Sequence, residues 1–348
     1  MILDEPHRGA FYPPEMLGLS GKEQMEWGIA GRMVPPPMHH LTGTRPTAIG
    51  DGTSEFTMPA TEWLATHTGV IPGGFLAVLA DGPLGCSIQS RLPAGTIYTT
   101  SELSMSYLRP AYPDGRDIVA RGRVIHTGRS LALSEAVLTD GDGREVAHAT
   151  SRCFVFPPIP APPAPPTEAF DVPAYDSPDP YQRPVQGWIA GAGLDHLSGL
   201  DLWRGCVAGE VEPPPLAYLT GTKPVVVEEG STTWTMPASP WLCSPTGFVE
   251  GGFLVYLADC AVTTSSHTLV PAGVACAAID VTVKFIRPAP PDGRPLTAVG
   301  RVVNHGKSLS VATAEIRNAD GKLVATALGS SMLLPGRSLS RVVVEDES

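Results

Sequence analysis

The sequence predicts an α+β protein in which one domain plan is written twice. Three observations carry that prediction. The stretch Thr68-Gly-Val-Ile-Pro-Gly-Gly-Phe-Leu-Ala-Val-Leu-Ala-Asp81 returns as Thr246-Gly-Phe-Val-Glu-Gly-Gly-Phe-Leu-Val-Tyr-Leu-Ala-Asp259. Other motifs recur at the same offset of 178 residues without a gap: Leu41-Thr-Gly-Thr44 as Leu219-Thr-Gly-Thr222, Thr57-Met-Pro-Ala60 as Thr235-Met-Pro-Ala238, and Arg109-Pro-Ala111 as Arg287-Pro-Ala289. In each copy a long apolar run is followed by β-branched or alternating segments separated by turn residues. A period this long marks two whole domains, not a solenoid. The 348 residues suit two units of roughly 150 residues each, and 43% hydrophobic residues can fill two cores.

The elements follow in order. Residues 1–18 are turn-rich and read as an arm. Ser20-Gly-Lys-Glu23 is a capping-box pattern, in which hydroxyl and carboxylate satisfy orphan N–H groups at a helix start. That helix is expected to reach about Arg32, before the prolines at 35–37 stop it. Thr47 to Met58 suits a strand, ended by Pro59. The apolar run from Gly73 to about Leu92 is the central helix. Residues 97–109, 117–127, 130–139 and 144–156 then alternate with Pro113-Asp-Gly115, Thr127-Gly128 and Asp140-Gly-Asp-Gly143. This is turn chemistry at hairpin spacing, so four strands in an antiparallel meander are expected. Prolines crowd residues 157–184 into a semi-extended surface connection. The resulting plan is an arm (1–18), a first repeat (19–156), a linker (157–194), a second repeat (195–335) and a tail (336–348).

Composition removes several function classes. A net charge of −11 with no basic stretch argues against nucleic acid. No run of eighteen apolar residues is present, and the N-terminus lacks the pattern of a signal peptide, so a cytoplasmic protein without a membrane partner is expected. Six cysteines without CxxC spacing point to buried free thiols and no metal site. No Gly-x-Ser-x-Gly elbow or nucleotide loop occurs.

The chemistry concentrates at Gly73-Gly74 with Asp81 and at Gly251-Gly252 with Asp259. Glycines at a helix N-terminus leave its unpaired N–H groups open to a ligand, and an acid nearby can act as a base. A buried helix with a tight entry turn and a hydrogen-bonded Asp has the same pattern. Glu250, just ahead of the second helix, reads as favouring the helix dipole.

A strand, a Gly-Gly-opened helix, and a meander carrying Arg-Pro-Ala and Gly-Arg-Ser together resemble the hotdog fold. The nearest branch looks like the PaaI-like acyl-CoA thioesterases, whose signature runs Asn-x-x-Gly-x-x-His-Gly-Gly-x5-Leu-(Ala)-Asp. Here the His position holds Pro72 and Glu250, and the Asn position Thr66 and Ser244. The resemblance implies a tandem (double) hotdog, each an antiparallel sheet wrapped around its long helix, forming an internal pseudo-dimer that can associate further. It implies hydrolysis of an acyl-CoA thioester between the repeats, with coenzyme A as part of the substrate and no cofactor. Glycines of one repeat would face the acid of the other: Gly73 and Gly74 with Asp259 and Thr263, and Gly251 and Gly252 with Asp81. The Asp would serve as general base or nucleophile. Asp259 ranks first, because Thr263 shares its helix face, whereas Asp81 has Gly85 there and Pro83 close by. Arg129 and Lys307 at hairpin tips, with Arg109 and Arg287, are the candidates for coenzyme A phosphates. Phe75, Trp63, Phe253 and Trp241 suggest an apolar acyl group. A non-catalytic acyl-CoA-binding module is the alternative, and a hotdog hydratase or dehydratase ranks below it for want of the His.

Overall fold

The structure, a computed structural model, describes residues 2–337; the tail from residue 338 onward lies outside them. The first repeat comprises α1 (Gly21–Ile29), α2 (Pro37–Thr42), β1 (Arg45–Gly50), β2 (Thr53–Pro59), α3 (Gly73–Gln89), β3 (Tyr98–Tyr107), β4 (Asp117–Thr127), β5 (Leu131–Thr139) and β6 (Glu145–Val155). The second repeats this plan with α4 (Gly199–Ala208), α5 (Pro215–Thr220), β7 (Lys223–Glu228), β8 (Ser231–Pro237), α6 (Gly251–His267), β9 (Val274–Phe285), β10 (Pro295–His305), β11 (Leu309–Arg317) and β12 (Leu323–Pro335).

Local chemistry accounts for the boundaries. Ser20 closes the capping box on α1, its N–H donating to Glu23 Oε2 at 2.7 Å. The prolines stop α1 and also start α2, because Pro37 needs no hydrogen bond at a first helical position. The single strand expected over 47–58 is a hairpin of β1 and β2. Its turn is Asp51-Gly52, with Gly52 at φ 72°.

The strand order is β1-β2-β4-β5-β6-β3-β9-β12-β11-β10-β8-β7, antiparallel throughout. The expected meander holds for β4, β5 and β6 only. β3 lies beyond β6, because β2 already occupies the other edge of β4, from Thr53 opposite Arg123 to Pro59 opposite Asp117. Each half-sheet curves over its own helix: α3 packs on β2, β4, β5 and β6, and α6 on β8 to β12. Both helices are apolar nearly all round, as burial on every side requires.

The halves meet along β3 and β9, so one twelve-stranded sheet runs through the molecule. Ser104 and Thr282, equivalent residues, share a hydrogen bond of 2.6 Å there. Beneath them α3 crosses α6, with Phe75 against its counterpart Phe253 edge-to-face at 6.0 Å.

The duplication extends upstream of the bounds at 19 and 195. Residues 2–4 and 180–182 form equivalent 3-10 turns, and each segment lies on the opposite repeat. The Trp63 indole donates to Arg183 O at 2.9 Å, the Trp241 indole to Glu5 O at 3.0 Å, and Glu5 pairs with Arg183 at 2.7 Å. Residues 157–178 are largely exposed and form no regular element.

Candidate active site

At the crossing of α3 and α6, each helix N-terminus meets the other helix's acid. The Gly74 N–H donates to Asp259 Oδ2 at 3.0 Å, and the Gly252 N–H to Asp81 Oδ2 at 3.2 Å. Thr263 Oγ1 donates to Asp259 Oδ1 at 3.2 Å. Glycine is needed for the crossing itself: a Cβ on Gly74 would sit 2.5 Å from Asp259 Cβ, and one on Gly252 2.5 Å from Val78 Cα. The seven residues singled out by sequence are thus gathered into two crossed sets. Burial pushes both carboxyls up to about 6 from 3.8. The facing glycine N–H groups pull each of them the other way, as does the Thr263 hydroxyl at Asp259.

The two sets differ in access. A cavity of about 920 Å³ opens on Asp81, Gly251 and Glu250. Its wall does not include Asp259, Thr263, Gly73 or Gly74. The reason lies in four wall residues, Met25, Phe56, Gln89 and Pro245, whose counterparts are Trp203, Trp234, His267 and His67. Those four rings interlock. Trp203 lies 5.4 Å from Trp234, 6.1 Å from His267 and 6.5 Å from His67, and its indole donates to His267 Nδ1 at 3.1 Å. Asp259, only 4% exposed, sits in this half. Access therefore favours Asp81, the reverse of the order drawn from Thr263 and Pro83. Pro83 does not end α3, which continues to Gln89.

Two wall residues went unrecognised. A Cβ at Gly85 would stand 2.5 Å from Tyr98 Oη, so β3 brings a hydroxyl to the turn where Thr263 carries its own in the other set. Burial keeps that phenol protonated by pushing its pKa well up. Glu250, expected to favour the helix dipole, makes no cap hydrogen bond with its side chain, and its Oε2 is buried without a partner. Burial, and then the neighbouring Asp81, push its pKa well above the ordinary value. Comparing the two copies position by position was the available signal: Tyr98 answers to Cys276, and Glu250 to Pro72.

Other expectations are redistributed. Phe75, Trp63, Phe253 and Trp241 are core residues, at most 1% exposed, and do not line the cavity. Its apolar face comes instead from residues such as Met16, Met25, Met33, Leu254 and Phe285. Arg287 is on the wall, joined by Arg45, which pairs with Asp117 at 3.0 Å. Arg109 is off the wall and donates to Glu145 O at 2.7 Å. Arg129 and Lys307 are exposed on the β4–β5 and β10–β11 turns, also off it.

An antiparallel sheet wrapped on one long helix, present twice and joined edge to edge, defines a double hotdog. The model of the Thioesterase superfamily matches residues 68–147 and again 246–325, the same stretch of each repeat. Both repeats have the hotdog fold, and each carries one match to that superfamily's model. Among solved structures, the tesB protein of Mycobacterium avium subs paratuberculosis is 15% identical, with a TM-score of 0.52 over 83% of this chain and 96% of its own. The acyl-CoA thioesterase II TesB2 of Mycobacterium marinum is 11% identical, with a TM-score of 0.50 over 86% and 98%. A hot dog fold protein of unknown function from Alicyclobacillus acidocaldarius is 18% identical, with a TM-score of 0.51 over 83% and 95%. At these identities the likeness is one of fold. No curated protein matches the chain by sequence. No helix among the described residues is long and apolar enough to cross a membrane.

Proposed function

We propose that this protein hydrolyses an acyl-CoA thioester to the free acid and coenzyme A, and that it does so where Asp81 faces the N-terminus of α6. The cavity of about 920 Å³ opening on that pair carries the proposal. A volume of several hundred Å³ suits a small-molecule substrate, and this wall is mostly apolar, with Arg287 and Arg45 as cations for the phosphates.

The Gly251 and Gly252 N–H groups hold the Asp81 carboxylate. A thioester entering the cavity places its carbonyl oxygen on these donors, where charge develops as the carbon becomes tetrahedral. One such donor is worth about 3 kcal/mol in the transition state. Asp81 then faces the carbonyl carbon, either attacking it or taking the proton of an attacking water. With a pKa of about 6 it is mostly ionised at neutral pH, as both roles need. The phenol of Tyr98 is placed to orient the water.

A thiol-release screen across aryl, short, medium and long acyl-CoAs tests this. Asp81→Asn is expected to lower kcat by about 10²–10⁴, with Asp259→Asn much milder. Binding of acyl-CoA without any thiol release would make the chain a binding module. Loss with Asp259→Asn and none with Asp81→Asn would move the chemistry to the other set.

A further inference from the structure

We propose that Glu250 is the catalytic acid that protonates the departing sulfur, working beside Asp81 in the same cavity. This deepens the hydrolase reading and rests on it.

Three independent features of the structure carry it. Glu250 lines the cavity next to Gly251, and a Cβ on that glycine would stand 2.8 Å from Asp81 Oδ2, so Glu250 and Asp81 flank the same glycine on one cavity wall. The residue is only 8% exposed, yet its Oε2 meets no donor or acceptor. A buried polar atom left unpaired is costly, and this one belongs to a residue on the wall of a cavity that a ligand can fill. Its backbone is also fixed. The Glu250 N–H donates to Leu242 O at 3.0 Å, and Cys243 bridges to Val249, closing the loop that presents the side chain.

Two carboxyls sharing a dry site cannot both ionise easily, so their affinities for the proton separate. Glu250, deeper and without N–H partners, keeps the proton; Asp81, on two helix N–H groups, loses it. The other ionisable groups close to Glu250 are Cys86 and Cys243, whose thiols burial holds neutral. Such a divided pair is an acid and a base in place.

The step balances without another reactant. As the tetrahedral intermediate collapses, the C–S bond breaks, its electron pair goes to sulfur, and sulfur takes the Glu250 proton to leave as coenzyme A thiol. If Asp81 attacked directly, Glu250 carboxylate next takes a proton from the water that opens the acyl–Asp81 anhydride. If Asp81 took the water proton first, it passes that proton to Glu250. In both cases one water is consumed, and the free acid and thiol are the products. The first set has Pro72 at this position.

The experiment compares two esters of one acyl group, the coenzyme A thioester and a 4-nitrothiophenyl thioester, whose thiolate leaves without needing a proton. For Glu250→Gln, kcat on the coenzyme A ester is expected to fall by roughly 10²–10³, with the aryl ester close to wild type. The ratio of the two rates does not depend on the fraction folded, and Glu250→Asp, which keeps the acid, should restore part of the loss. An equal deficit on both esters, or no deficit on either, overturns the role of Glu250 while leaving the hydrolase intact. A wild-type protein inert to both overturns the hydrolase reading, and this role with it.

Discussion

At the scale of single residues, the two aspartates make different demands. Asp259 is buried with a pKa of about 6 against 3.8 unfolded. A raised carboxyl favours the folded state only while protonated. Its cost is absent below about 4, grows as pH rises through 6, and is complete above it, at up to about 3 kcal/mol. Asn keeps an oxygen for the Gly74 N–H and the Thr263 hydroxyl but cannot ionise. Asp259→Asn is therefore expected to raise the melting temperature at pH 7.5 by several degrees, and to match wild type near pH 4. Melting curves at both pH values decide it, and a shift independent of pH would count against a buried charge. The acids were legible because each sits at a fixed distance from a Gly-Gly pair. Their access was not. It depends on Met25, Phe56, Gln89 and Pro245, residues scattered over the chain whose bulk matters only once the fold has brought them together.

At the scale of elements, the Gly-Gly pairs divide their work. The second glycine lets the helices touch: a Cβ on Gly252 meets Val78 Cα at 2.5 Å and Ala77 O at 2.6 Å, both backbone atoms. The first meets side chains, with Asp81 Oδ2 at 2.8 Å from a Cβ on Gly251. Gly252→Ala is expected to destabilise by about 1–3 kcal/mol through overpacking. Gly251→Ala should be milder in stability and more damaging to thiol release, since only side chains, the Asp81 carboxylate and the Phe285 ring, must move. Denaturation midpoints measured alongside rates separate the two, and the same outcome for both variants would show that no such division exists. Helix starts, hairpins and the long apolar helix were readable because each depends on neighbours in sequence. The Asp51-Gly52 turn is written there too, inside a run that suits a single strand. The seat of β3 was not written locally, since it is decided by which sheet edges β2 and β5 leave free.

At the scale of the whole molecule, the covalent connection and the cohesion of the halves are separate matters. Residues 157–178 run largely exposed, whereas β3 pairs with β9, α3 crosses α6, and the segments upstream of each repeat contact the opposite repeat through Trp63 and Trp241. Apolar burial contributes about 25 cal/mol per Å² at such a crossing, independently of the tether. Protease nicking between Pro157 and Pro178 is expected to leave one particle of unchanged size on native gel filtration, two bands on a denaturing gel, and most of the activity. Separation of the halves under native conditions would mean that the connection, not the sheet and helices, holds them.

The interlocked rings around Trp203 have a consequence for inheritance. In an assembly of two identical chains, one substitution is expressed on both sides of the symmetry axis, so a tryptophan that fills one hollow fills the other as well. Joining the copies end to end removes that coupling. Trp203 can close its hollow while Met25 leaves its own open, and Glu250 can appear without an acid replacing Pro72. Each half can then be altered against its own requirement, one helix crossing for cohesion and the other for an open chamber. The tandem arrangement thereby turns a symmetric pair into two parts with separate histories.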